Sequence, residues 1–131
     1  MRYITSLFAC LLFSLFANGQ EQTKEDKPKP PQIFGYVEQM PQSSYDFSSY
    51  LQENLHYPIK AKENRITGRV VVKFIVTETG AIDSVHVVKG IGAGCDEEAI
   101  RVIKNMPPWK PGKQNGKPVR VYFTQPITFN L

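Results

Sequence analysis

Residues 69–89 read RVVVKFIVT-ETGA-IDSVHVVK, and this stretch decides the fold class. Arg69 to Thr77 is rich in β-branched and aromatic residues, and Val70, Val72, Phe74 and Val76 fall on one face of an extended chain. Glu78-Thr79-Gly80 supplies a turn, with Gly80 free to take a positive φ. Ile82 to Lys89 then returns as the partner strand of a hairpin. Its facing is irregular: Val85 and Val87 share a face that Ile82 does not, which calls for a bulge between them.

Working outward, the pattern changes to helix on both sides of the hairpin. Upstream, Phe47, Tyr50, Leu51 and Leu55 recur at three- to four-residue spacing and predict a short helix that stops by Tyr57, because the residue before Pro58 is pushed out of helical geometry. Ile33 to Pro41 reads as a short strand. Downstream, Gly90 to Gly94 reads as a flexible connection into a helix with Asp96 as its N-cap and Glu97 and Glu98 facing the positive end of the dipole. Cys95, Ala99, Val102, Ile103 and Met106 form its apolar stripe, Glu97 and Arg101 are spaced i, i+4, and Pro107-Pro108 ends it. After a loop, residues 119–131 alternate: Val119, Val121, Phe123, Gln125, Ile127, Phe129 and Leu131 on one side, polar or mixed residues on the other. Pro126 lacks a ladder N–H, so this strand is expected at a sheet edge. The expected fold is α+β: two layers, ββαβ, a three-stranded antiparallel sheet packed on one main helix, with a short N-terminal helix.

The chain of 131 residues is 41% apolar and 21% charged, ample for a single packed domain. Sixteen basic residues against twelve acidic ones give a net charge of +4, but the cations are spread along the chain rather than gathered with stacking aromatics, so nucleic acid is not an expected partner. The N-terminus has its own logic. Arg2, the fourteen-residue apolar run Ile4 to Ala17, and the small residues of Ala17-Asn18-Gly19 make the pattern of a signal peptide over residues 1–19. A membrane anchor through residues 4–17 is the rival, although a span takes about 17–25 apolar residues; Leu7-Phe8-Ala9-Cys10 also loosely resembles a lipidation site. Residues 20–32 are a Lys/Pro-rich linker, and residues 33–131 are the folded domain. The expected location is exported and periplasmic. Cys95 then has no partner for a disulfide once Cys10 leaves with the signal, so a packed core has to hold the domain together.

The sequence offers no catalytic set. His56 and His86 are the two histidines and lack metal-ligand spacing; Asp83, Ser84 and His86 are strand neighbours whose side chains alternate between faces. Cys95 belongs to the helix stripe, and three acids follow it, which opposes a thiolate. Gly90, Gly92 and Gly94 form no phosphate-binding loop. No cofactor is called for, and the protein is not expected to be an enzyme. Trp109, beside Pro108 and Pro111, reads either as a core plug or as a platform for a peptide. An exposed strand edge would template an added strand, unless the N-terminal segment or a second copy covers it.

Several stretches together resemble the C-terminal domain of TonB: VEQMP at 37–41, YPIKA at 57–61, ITGRVVVKFIVTETGAI at 66–82, DEEAIRVIKNMPPWKPG at 96–112 and NGKPVRVYFTQPITFNL at 115–131. The resemblance implies a ββαβ fold and binding of the TonB box, a short N-terminal peptide of outer-membrane transporters. In the family that peptide pairs with the strand after the main helix, here Val119 to Thr128. The partner-binding residues carried over are Val119, Arg120, Val121, Tyr122, Phe123, Thr124 and Gln125, with Arg120, Tyr122 and Thr124 placed to tune the contact. Full-length family members also have a membrane helix that engages inner-membrane motor proteins, and a long spacer. The short apolar run and thirteen-residue linker here depart from that pattern, so coupling to the motor is not implied. The alternative reading is an envelope interaction protein that self-associates, as a homodimer, through its edge strand.

Overall fold

A computed structural model describes residues 27–131, so the signal, anchor and lipidation readings lie outside the described residues. The elements in chain order are β1 (Ile33–Phe34), α1 (Phe47–Asn54), α2 (Ile59–Glu63), β2 (Gly68–Val76), β3 (Ile82–Lys89), α3 (Cys95–Lys104), β4 (Gly112–Gln114) and β5 (Lys117–Phe129). The α+β class stands. The expected three-stranded antiparallel sheet does not: the strands run β1-β5-β2-β3, with β4 pairing to β5, and β1 lies parallel to β5. Among the described residues there are three helices, the short α2 having escaped the periodicity reading because five residues are too few to show a stripe.

The β2–β3 hairpin forms as its sequence requires. Thr77 and Ala81 close the turn, Gly80 sits at φ 83°, and a Cβ there would lie 1.8 Å from the Trp109 carbonyl oxygen. Glycine is needed at this position both for its conformation and for its size. Two bulges then re-aim β3. One extra residue falls between Asp83 and His86, with Ser84 at φ 50°, and a second falls at Val88, which is left exposed. The first is the bulge the facing of Ile82 called for, and it turns Ile82, Val85 and Val87 toward the core together.

That core lies between one face of the sheet and the helices. Val70, Val72, Phe74 and Val76 of β2 and Ile127 and Phe129 of β5 meet Ala99, Val102 and Ile103 of α3 and Ala61 of α2, all fully or almost fully buried. Each large side chain placed there contributes about 1.5–3 kcal/mol by leaving water. Phe47, Tyr50, Leu51 and Leu55 bring α1 onto the same cluster. Tyr50 donates its hydroxyl hydrogen to Val102 O at 2.7 Å, and Tyr57 donates to Ile66 O. Trp109 is the plug: 5% exposed, edge-on to Phe74 at 5.5 Å and to Phe123 at 4.9 Å, with its backbone N–H donating to Gly80 O at 2.8 Å. Of the two readings of Trp109, the core plug therefore holds and the peptide platform does not.

Two local expectations for α3 also change. Its N-cap is Gly94 at φ 84°, not Asp96. The Asp96 carboxylate instead accepts the N–H groups of Ile91 at 2.8 Å and Gly92 at 3.2 Å, which pins the glycine-containing connection in an ordered turn. The ion pair on this helix is Glu98–Arg101, i, i+3, rather than Glu97–Arg101. The same two residues reach the end of α1 and the turn after it: Arg101 donates to Asn54 O at 2.7 Å, and Glu98 accepts the His56 backbone N–H at 2.8 Å.

Candidate functional site

β5 is the strand on which partner binding was expected, and it is not a plain outer strand. On one side it pairs with β2 without a break from Val121 to Phe129. Lys117 to Val119 pair with β4 across the Asn115-Gly116 turn, where both residues have positive φ, the geometry of a type I′ hairpin. On the side away from β2, Ile33 pairs with Arg120 and Phe34 with Val121. The expected edge is thus occupied at its beginning. Beyond Val121, no strand among the described residues covers that side.

Pro126 explains which backbone groups the open side presents. It lies within the β2–β5 ladder opposite Val71, a place a proline takes when its missing N–H faces away from the paired strand. Because strand residues alternate in the direction of their backbone groups, Tyr122, Thr124 and Thr128 direct N–H and C=O to the open side along with the Pro126 carbonyl. Edge character was rightly read from this proline, but only for the half of the strand that contains it.

The side chains of the expected binding residues divide by parity. Val121 is buried and Phe123 packs on the core, and their backbone groups face β2, so these two offer a partner on the open side neither side chain nor backbone. Val119 lies opposite Gly112, whose missing Cβ leaves room for the Val121 side chain and Pro41. Arg120 is tied across the sheet face to Asp83 at 2.8 Å and Glu78 at 3.7 Å, with only 19% of its side chain exposed. Lys73 Nζ stands 4.4 Å from the Tyr122 ring centroid, a cation–π contact. Thr124 is exposed and Gln125 half-buried. Arg120 is therefore a cross-strand tie more than a free recognition group.

Beside the open half of β5 runs a groove of about 540 Å³. One wall is α1, through Phe47, Ser48, Leu51, Gln52 and Leu55; the other is Gln125, Pro126, Thr128 and Asn130. The wall from α1 was not anticipated, since the helical stripe alone does not say which strand it will border. A second cavity, about 720 Å³, lies where the segment 38–42 meets Lys110, Pro111, Lys113 and Pro118. Gln39 and Gln42 exchange backbone hydrogen bonds there with Lys113 and Lys110.

The groups considered for chemistry lie apart. Burial, and then Asp96 and Glu97, push the Cys95 thiol upward, away from the thiolate. His56, in the connection between α1 and α2, and His86, on β3, are both exposed, and no cluster suited to a metal occurs among the described residues.

A long sheet completed by the strand after the main helix, with that strand open on one side, agrees with a comparison against protein families. Residues 53–131 match the model described as the Gram-negative bacterial TonB protein C-terminal. The chain belongs to this family. The match spans α2 through β5 and more than half the chain. The TonB C-terminal family is a non-enzymatic one that takes part in TonB-dependent transport and works with outer-membrane transporters, and membership places this domain in that envelope setting. No individually curated protein matches the chain. No helix among the described residues is long and apolar enough to cross a membrane.

Proposed function

We propose that the domain captures an extended peptide of an outer-membrane transporter by adding it as a strand to β5, from the periplasmic side. The observation that carries this reading is the open side of Tyr122 to Thr128, with backbone donors and acceptors unpaired by any described strand and a groove alongside. Main-chain pairing supplies affinity that is tolerant of sequence, and the groove beside α1 receives alternate side chains of the incoming strand. Phe47, Leu51 and Leu55 make that wall apolar, so the preferred peptide alternates an apolar residue toward it. While β1 is seated opposite Arg120 and Val121, the stretch open to a partner begins at Tyr122, toward the C-terminal end of Val119–Gln125 and beyond it.

The test is an NMR titration of the chain with peptides from the N-termini of outer-membrane transporters of the same organism. Saturable shifts concentrated in the amides of Tyr122, Thr124 and Thr128 are expected. No shifts at millimolar peptide would sink strand capture at this edge. A concentration-dependent shift without any peptide would point instead to self-association.

A further inference from the structure

The segment that seats on β5 lies outside the part of the chain that matches the family. β1 and the strap after it, residues 33–42, precede the match at residue 53. Yet Ile33 and Phe34 lie opposite Arg120 and Val121, immediately before the open stretch that begins at Tyr122. An incoming strand that paired with the whole of β5 from Arg120 onward would need the place β1 holds.

The seat is lightly made. β1 has two residues, both only half-buried, and neither belongs to the main core cluster. Lys27 to Gln32 on one flank are exposed and without regular structure, while Gly35 and Tyr36 on the other are exposed, Tyr36 at 80%. The strap is held farther along, by Gln39 on Lys113 and Gln42 on Lys110, with Val37 and Pro41 buried. This division lets β1 leave while its anchor stays: release breaks a two-residue ladder and opens no core.

Resting on the strand-capture reading above, we infer that β1 is an intramolecular occupant of the partner site, which a transporter peptide displaces in order to pair along Arg120 to Thr128. The chain carries its own competitor at high local concentration, so the site discriminates against weak strands. The apparent affinity for a partner is lowered by the fraction of molecules in which β1 is seated.

The experiment compares the full chain with Phe34→Pro, which removes a backbone donor from β1 and none from the core, and with Ile33→Asp as a second variant. The probe is the tightest-binding transporter N-terminal peptide from the titration, followed by isothermal calorimetry, with circular dichroism to check that both variants fold. Both variants are expected to bind about 10-fold more tightly than the parent. In the parent, peptide should also shift the amides of Ile33 to Tyr36. Equal affinity, or weaker binding by the variants, overturns the inference while leaving strand capture intact. Absence of binding by parent and variants alike overturns strand capture, and the inference falls with it.

Discussion

Gly80 joins two parts of the molecule through one missing methyl. Its φ of 83° closes the β2–β3 turn, and its lack of a Cβ admits the Trp109 carbonyl oxygen, while its own carbonyl accepts the Trp109 backbone N–H. Gly80→Ala should therefore destabilise the domain by about 3 kcal/mol, more than either the backbone conformation or the contact alone would cause. Thermal unfolding checks this, with about 4–8 °C of Tm expected per kcal/mol in a domain of this size; an unchanged Tm would show that Trp109 moves aside freely. Glu98 makes a different residue-scale prediction. The Arg101 guanidinium foremost, and then the His56 N–H, hold its carboxyl below the usual glutamate value. A depressed folded-state pKa gives stabilisation that is present above the unfolded value, near 4.5, and lost as the pH falls through the folded one. Because Arg101 is 44% exposed, the pair is screened and contributes about 1 kcal/mol. Glu98→Gln should lower Tm at pH 7, and the gap should narrow as the pH falls below the usual glutamate range; a gap that does not narrow with falling pH would mean the loss is not electrostatic. Neither residue's role was fully legible in sequence. The turn need for glycine was, since ETG between two β-rich runs is a local signal. The Trp109 contact, and the choice of Glu98 over Glu97 as Arg101's partner, depend on what α1 and the hairpin bring near the helix.

β5 shows at the element scale how one strand can be interior and open at once. Its alternation was legible, and Val121, Ile127 and Phe129 are buried as the pattern required. Its neighbours were not, because the two residues of β1 carry too little pattern to be assigned, and a strand's partner is chosen by tertiary packing. The proline parity gives a sharp test. Thr124→Pro removes an N–H from the open side and should leave the β2 ladder whole, reducing peptide affinity about 10-fold for one lost backbone bond with a small change in Tm. Phe123→Pro, one residue away, removes an N–H from the β2 side together with a core aromatic, and should unfold the domain or lower Tm steeply. If the two variants instead behaved alike, the direction assigned to the strand's backbone groups would be wrong. The helical elements were the easier part: the α1 and α3 stripes lie on the core as their spacing required, whereas the groove between α1 and β5 arises from the docking of the two elements and from nothing within either.

At the scale of the whole molecule, stability rests on a single apolar cluster with no disulfide among the described residues. Cys95 lies at its centre, fully buried, with its thiol pKa raised chiefly by that burial. In a Cys10→Ser background, alkylation of Cys95 should proceed only at the rate of global opening and accelerate with denaturant in step with unfolding. Rapid modification in native buffer would show that α3 detaches on its own. The sheet order has a further outcome, in time rather than in space. β2 is flanked by β3, which leaves the ribosome within a few residues of it, and by β5, which leaves last. Throughout synthesis the most apolar strand has one side paired and the other bare, and closing it requires a contact between residues some fifty positions apart. A nascent chain ending before residue 117 thus presents an apolar hairpin that cannot yet finish its sheet, an aggregation-prone species until β5 is made.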